Sequence, residues 1–72
     1  MEQDDLLHKF GRRIAYLREQ QALTIDELAA RSGVEAREIA LIERGELDFQ
    51  VTAVYALARG LGVKPAQLVD GL

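Results

Sequence analysis

Hydrophobic residues recur at intervals of three and four along the chain, a spacing that is typical of amphipathic helices rather than strands. The first such stripe consists of Leu6 or Leu7, followed by Phe10, Ile14 and Leu17. It predicts a helix over residues 5–21, with Asp4 or Asp5 as the N-terminal cap. The charged residues that fall outside this stripe, and that we expect to be solvated, are Lys9, Arg12, Arg13 and Glu19.

A second helix is predicted over residues 25–32 by a clear start signal. Thr24 is followed three residues later by Glu27, which is the pattern of a capping box. In that arrangement the threonine hydroxyl accepts from one backbone N–H, and the glutamate reaches back to another. Ser32 and Gly33 end the helix, because glycine readily adopts the left-handed conformation of a C-terminal cap.

A third helix follows almost at once, over residues 35–44. Ile39 and Ile42 face inward, Val34 supplies the entry contact, and Gly45 ends the helix. The second and third helices therefore meet across a tight glycine turn. This succession is the supersecondary signature of a helix-turn-helix.

Two further helices complete the predicted fold. The fourth covers residues 51–61, and its apolar stripe consists of Val51, Val54, Leu57, Ala58 and Leu61. Pro65 begins the fifth helix, over residues 65–70, since proline is tolerated in a first helical turn. The sequence thus predicts an all-α fold of five helices, with no sheet, in a single domain over residues 1–72.

Length and composition exclude several classes of protein. A chain of 72 residues without cysteine has one small core and no disulfide, thiolate zinc ligand or thiol nucleophile. His8 is the single histidine, and no serine and carboxylate partners form a catalytic set with it. Gly60-Leu61-Gly62 lacks the third glycine and the preceding strand of a dinucleotide site. We therefore expect no catalytic residue, no cofactor and no metal.

No segment reads as a membrane span or a targeting signal. The longest nearly uncharged stretch, residues 51–58, is far shorter than the roughly 20 residues that a spanning helix needs. The acidic N-terminus is the opposite of the basic start of a signal peptide. We expect a cytoplasmic protein that has no membrane partner.

Several segments share their residue order with one known family. They are Phe10-Gly11-Arg12-Arg13-Ile14-Ala15-Tyr16-Leu17-Arg18, Leu23-Thr24-Ile25-Asp26-Glu27-Leu28-Ala29, Ser32-Gly33-Val34, Ile39 with Ile42-Glu43-Arg44-Gly45, and Leu57-Ala58 with Leu61-Gly62-Val63. This order resembles the Xre or lambda-repressor-like family, which includes the Cro and cI proteins. The resemblance implies a compact five-helix domain that binds double-stranded DNA as a homodimer, with the third helix in the major groove. It is similar to controller proteins of restriction-modification systems, which implies a regulator without a small-molecule effector domain.

The resemblance also assigns roles to individual residues. Arg18 and Glu43 match a structural ion pair that is partly buried in the family, although a surface ion pair is the alternative. The positions that match DNA contacts are Thr24, Glu35, Ala36, Arg37, Ala40, Leu41 and Arg44. Arg37 has the clearest reading chemistry, because a guanidinium pairs with O6 and N7 of guanine. Alternatively, Arg37 is a solvated surface residue, Thr24 only a cap, and Arg44 only a cation favoured by the helix dipole.

Two pairs of apolar residues are predicted to be exposed and to form the dimer interface. They are Leu47 and Phe49 in the loop before the fourth helix, and Val69 and Leu72 at the C-terminal end. The alternative is that they belong to the core, and this is the favoured interpretation for Val69. An isologous dimer sets two third helices about 34 Å apart, which matches half-sites one DNA turn apart in a palindromic operator.

The distribution of charge weighs against a nucleic-acid partner. The net charge is −3, and residues 24–49 alone carry three arginines against seven carboxylates. Ile25 and Ala40 stand where the family commonly has glutamine and serine. A competing interpretation is therefore a protein-interaction module of helix-turn-helix fold, whose acidic third helix binds a protein partner rather than DNA.

Overall fold

Five helices joined by short turns form the protein. The computed structural model describes residues 3–72, with side chains from residue 5 onward, and contains no strand in that range. The helices are α1 (Gln3–Gln20), α2 (Ile25–Ser32), α3 (Ala36–Glu43), α4 (Val51–Leu61) and α5 (Pro65–Val69). The predicted all-α fold of five helices is confirmed. None of the helices in residues 3–72 has the length and apolar character to cross a membrane.

Helix ends differ from the prediction in α1, α3 and α5, and α1 ends at Gln20 rather than at residue 21. Because α1 already includes Gln3, Asp4 and Asp5 lie within its first turn and are not its cap. Glu35 and Arg44 lie just outside α3, as its N-terminal and C-terminal caps. Asp70 follows α5, with an extended backbone.

One hydrophobic core joins all five helices. Each helix contributes at least one side chain that is almost completely buried, and the largest of these are Phe10, Ile14, Leu28, Ile39, Ile42, Leu57 and Leu68. Leu17, Ile25 and Val34 pack against them from the edge. The apolar stripes of the sequence therefore form the core, since each helix turns its stripe inward.

The connection between α3 and α4 folds back onto this core. The ring of Phe49 stacks on that of Phe10, with ring centroids 3.8 Å apart and an interplanar angle of 20°. Leu47 and Leu72 are also half-buried against the core. The predicted exposure of Leu47, Phe49 and Leu72 is therefore wrong, because the loop and the C-terminal end return to cover the helices.

Val51 departs from the prediction in the opposite direction. As the first residue of α4 it lies beyond the edge of the core, and 71% of its surface is exposed. The apolar stripe of α4 thus begins at Val54, one turn later. Val69 is exposed as well, at 43%, so the core position favoured for it is wrong, and it alone of the four predicted interface residues is exposed.

Gly11 allows α1 and α3 to approach closely. A Cβ at this buried position would overlap the carbonyl oxygen of Ile42 and would lie 2.7 Å from that of Glu43. Real Cβ atoms do not approach backbone oxygens this closely, so glycine is required for the observed packing. The contact fixes the end of α3 against the middle of α1.

The position of Arg13 outside the apolar stripe predicts a solvated side chain, but in the structure Arg13 also makes contacts with α5. Its guanidinium donates to the carbonyl oxygens of Gln67 and Asp70, at 2.7 and 2.8 Å. Both acceptors lie at the C-terminal end of α5, where helix carbonyls lack partners within the helix. Arg13 therefore caps α5 from α1.

Candidate nucleic-acid interface

The helix-turn-helix begins with a complete capping box at the start of α2. The backbone N–H of Glu27 donates to Oγ1 of Thr24 at 3.0 Å, and the Thr24 N–H donates to a carboxylate oxygen of Glu27 at 2.8 Å. The hydrogen bonds from Thr24, the backbone one first, lower the pKa of Glu27 below its usual value. Two of the unpaired N–H groups at this helix end are thereby satisfied, and the start of α2 is fixed.

The turn between α2 and α3 is held by local hydrogen bonds. Gly33 has a φ of +79° and donates its N–H to the carbonyl of Ala29 at 2.9 Å. Ser32 is buried, and its hydroxyl accepts from the N–H of Val34 at 3.1 Å. The left-handed backbone at Gly33 sets the direction in which α3 leaves the turn.

The end of α3 is fastened by an ion pair that reaches α1. Two nitrogens of Arg18 donate to the two carboxylate oxygens of Glu43, at 2.7 and 3.0 Å. A third nitrogen of Arg18 donates to the carbonyl of Leu23 at 2.8 Å. The Arg18 and Glu43 side chains are only 13% and 9% exposed. The ion pair is therefore partly buried, and it is not a surface ion pair. The contact with Glu43 raises the pKa of Arg18 and holds α3 in place.

The outward side of α3 carries the residues that match DNA contacts. Arg37 and Arg44 are exposed, and Leu41 is half-exposed between them. These three residues, spaced by four and three along the helix, form one line that we call the outer ridge. Ala36 and Ala40 lie beside it and are partly exposed. Glu35 is exposed at the N-terminal cap.

Carboxylates border the outer ridge on one side. Between α3 and the following loop lies an open groove of about 420 Å³. We call it the acidic groove, and its lining residues are Glu35, Arg37, Glu38, Leu41, Leu47, Asp48 and Gln50. Arg44 has a carboxylate neighbour too, since its guanidinium lies 3.4 Å from the carboxylate of Glu46. The charge deficit of the sequence is therefore present on the surface beside α3.

The position of Ile25 explains why it departs from the glutamine that is common in the family. Its side chain is half-buried and packs against the core at the start of α2. Glutamine at this position would offer polar atoms toward a phosphate or a neighbouring side chain. Isoleucine instead adds apolar area to the domain, and this end of α2 is left with Thr24 as the predicted contact.

A separate apolar surface lies on α4 and α5. Val51, Tyr55 and Val69 are 71%, 57% and 43% exposed. They border an open groove of about 420 Å³, the apolar patch, which is lined by Phe49, Val51, Val54, Tyr55, Pro65, Ala66 and Val69. Sequence reasoning missed Tyr55. A helical wheel gives the signal, because Tyr55 lies about 100° from Val54 and so leaves the buried stripe.

The described residues include no group of three or more histidine and acidic side chains that is arranged to hold a metal ion. The arginines at this surface have roles that need no cofactor. Arg18 is committed to Glu43, whereas Arg37 is exposed at the N-terminal end of the outer ridge. The arrangement suits recognition of another surface.

Comparison with known proteins places this geometry in a family. The sequence matches the Helix-turn-helix domain family over residues 9–70. It is 37% identical, over 65 residues, to the uncharacterized HTH-type transcriptional regulator y4dJ of Sinorhizobium fredii, covering 90% of this chain and 84% of that protein.

Solved structures agree with the sequence comparison. The restriction-modification controller protein C.AhdI from Aeromonas hydrophila is 32% identical, with a TM-score of 0.84 over 86% of this chain and 94% of that one. The wild-type controller protein C.Esp1396I is 25% identical, with a TM-score of 0.81 over 88% of this chain and 82% of that one. The chain belongs to the Helix-turn-helix domain family of DNA-binding transcription regulators, which are not enzymes.

Proposed function

We propose that the protein is a homodimeric regulator that binds a palindromic operator, with α3 in the major groove. The observation that carries this proposal is the outer ridge, which projects from a helix fastened by the Arg18 to Glu43 pair. The guanidinium of Arg37 pairs with O6 and N7 of a guanine, a contact worth about 1–3 kcal/mol of discrimination. Leu41, Ala36 and Ala40 pack on thymine methyl groups.

The contacts to the DNA backbone are few. Arg44 and Thr24 contact phosphates at the two ends of the helix-turn-helix. In this proposal Glu35 faces a base edge rather than a phosphate, since a carboxylate accepts from the amino group of cytosine. Affinity then depends on two copies of α3 binding together more than on charge.

The proposed dimer forms through the apolar patch on α4 and α5. Exposed apolar residues that cluster around a groove mark protein interaction sites. Val69 was predicted at this interface, and Phe49 lies at the edge of the patch. Leu47 and Leu72 do not line it, so Val51 and Tyr55 replace them in the proposal. The interface is isologous, and the two copies of α3 lie about 34 Å apart.

Selection from a random duplex library at low salt tests the DNA proposal. We expect a palindrome to be enriched, with a guanine at one position of each half-site. Arg37→Glu is expected to abolish binding, while Arg59→Glu, an equal change of charge at an exposed position of α4, leaves it unchanged. A selection without enrichment excludes the proposed function.

Sedimentation tests the dimer separately. We expect a species of twice the chain mass of 8.0 kDa at micromolar concentration. Tyr55→Asp is expected to give the monomer, because a buried carboxylate at the interface has no partner. Tyr16→Asp is the matched control, since Tyr16 is equally exposed, at 59%, on α1. A monomer at high micromolar concentration contradicts the dimer.

A second candidate function is favoured by the acidic groove. Three carboxylates, from Glu35, Glu38 and Asp48, surround apolar side chains of Leu41 and Leu47 there. Such a surface fits a basic protein segment rather than phosphates. Under this function, Arg37→Glu spares binding of a partner that docks on Leu41, whereas it abolishes binding of DNA.

A further inference from the structure

A second open groove lies between α1 and the C-terminal end of the chain. Its volume is about 310 Å³, and it is lined by Lys9, Arg12, Arg13, Tyr16, Gly71 and Leu72. We call it the basic groove, because three of these six residues are cations and none is acidic. It contrasts with the net charge of −3 and with the carboxylates beside α3.

The three cations of the basic groove differ in the contacts that they make within the protein. Arg13 is held by the carbonyl oxygens of Gln67 and Asp70, which fixes its position but leaves its charge unpaired by a carboxylate. Lys9 forms an ion pair with Asp5 at 3.6 Å, and both side chains are well exposed. An exposed pair of this kind contributes about 0–1 kcal/mol, so Lys9 exchanges partners at little cost.

Arg12 is the cation most available to a ligand. It is exposed, and it makes no hydrogen bond or ion pair with any residue in the described part of the chain. Tyr16 lies four residues further along the same helical face and is 59% exposed. A free guanidinium beside an exposed aromatic ring suits a ligand that combines carboxylates with apolar side chains.

The basic groove lies on the far side of α1 from α3. Gly11 packs against α3, whereas Arg13, about 200° further around the helix, contacts α5. The body of α1 therefore separates the groove from the outer ridge. A nucleic acid seated on α3 leaves this surface uncovered.

We propose that the basic groove binds an acidic segment of a protein partner, one in which carboxylates alternate with leucine or aromatic residues. The carboxylates pair with Arg12 and Lys9, and an apolar side chain packs against Tyr16 and Leu72. Charge complementarity identifies the partner chemistry. The proposal needs the groove alone and holds whether or not α3 binds DNA.

Fluorescence anisotropy with a defined probe tests this proposal. The probe is a fluorescein-labelled synthetic peptide of glutamate, aspartate and leucine, and its control is the same peptide with glutamine and asparagine instead. We expect the acidic peptide alone to bind. Arg12→Glu is expected to weaken its binding about tenfold or more, since it places a carboxylate opposite the ligand. Arg59→Glu is the matched control and is expected to bind as the unchanged protein does.

The readouts separate this proposal from DNA binding. Arg12 has no structural partner, so circular dichroism of Arg12→Glu is expected to show unchanged helix content. A DNA fragment titrated in parallel is expected to bind the Arg12→Glu and unchanged proteins equally. The proposal is overturned if the acidic peptide fails to bind, or if it binds Arg12→Glu as well as Arg59→Glu. It is also overturned if Arg12→Glu weakens DNA binding instead, which would assign the groove to phosphates.

Discussion

Arg18 holds together three parts of the chain through one guanidinium. Its two hydrogen bonds to Glu43 join α1 to the end of α3, and a third, to Leu23, fixes the connection before α2. A bidentate contact requires both groups in one plane, so it specifies orientation as well as distance. The family resemblance predicts this pair, whereas nothing in the local sequence connects residues 25 positions apart.

Replacing Arg18 by methionine is expected to cost about 3–5 kcal/mol of unfolding free energy, because Glu43 stays buried without a partner. For a chain of this size that loss approaches the total stability of about 4–11 kcal/mol. Urea unfolding measures it. The double variant Arg18→Met with Glu43→Leu is expected to recover most of the loss, since no unpaired charge remains. A cost below about 1 kcal/mol for the single variant would mean that the pair behaves as a surface ion pair.

Glu27 gives α2 a dependence on pH. Its pKa is lowered from the usual 4.5 by the hydrogen bonds of the capping box. The stabilisation is therefore complete above that value and is lost as the pH falls through the lower pKa of the folded state. Glu27→Gln is expected to be less stable at neutral pH, with the difference shrinking below pH 4.5. Unfolding measured across this range checks it, with Asp26→Asn as control; a difference that stays constant with pH contradicts it.

At the scale of elements, the position of α3 depends on how closely α1 approaches it. Gly11 meets backbone oxygens of α3, which do not move without moving the helix. Gly60 on α4 approaches α2 less closely, since an added Cβ would lie 2.9 Å from Cβ of Ser32 and 3.1 Å from both Cδ1 of Leu28 and the backbone nitrogen of Ser32. Two glycines within helices therefore have different tolerance to a methyl group.

Gly11→Ala is expected to destabilise the protein by about 1–3 kcal/mol, although alanine is the better helix former. Gly60→Ala is the matched comparison and is expected to cost less, because its added Cβ would lie 2.9 Å or more from each of its nearest neighbours and would not overlap a carbonyl oxygen. Thermal unfolding of the two variants measures the difference. Equal effects, or stabilisation by Gly11→Ala, would show that α1 and α3 adjust their separation freely.

Local sequence signals predict the helices and their ends. Which residues are exposed depends also on contacts between positions that are distant in sequence. The capping box at Thr24 and the left-handed Gly33 depend on neighbouring residues alone, so the sequence reveals them directly. Phe49 stacks on a ring 39 positions earlier, and Arg13 reaches carbonyls 54 and 57 positions later. No periodicity reports such contacts, so Phe49 was expected to be exposed and Arg13 to be solvated.

At the scale of the whole molecule, charge is distributed unevenly, because carboxylates outnumber the exposed arginines beside α3 while three cations cluster on α1. The outer ridge has Arg37 and Arg44, with Glu35, Glu38 and Glu46 close by. Lys9, Arg12 and Arg13 gather instead on α1, where they line the basic groove. The surface of α3 therefore offers a DNA phosphate few cations that do not already lie beside a carboxylate, and the net charge of the protein does not alter this.

The salt dependence of DNA binding is expected to be correspondingly shallow. Each neutralised phosphate contributes about −0.9 to the slope of log K against log salt, and basic regulators neutralise about six to ten phosphates. Titrations at several salt concentrations measure the slope. Glu38→Gln is expected to raise the affinity at every concentration, because it removes a carboxylate that borders the outer ridge and repels phosphates. A slope as steep as that of a basic regulator would refute this account of the surface.

The stack of Phe49 on Phe10 has a consequence for operator geometry. Phe49 lies between the helix proposed to read bases and the patch proposed to join two copies, and its ring is fixed to α1. In the proposed dimer, each α3 is thus held relative to the apolar patch without a hinge, so that the interface fixes the separation of the two copies of α3. One base pair inserted between half-sites rotates the second by about 34–36° around the duplex axis. Such a rigid dimer rejects that operator even when every base contact is retained, so the length of the spacer becomes part of the recognised sequence.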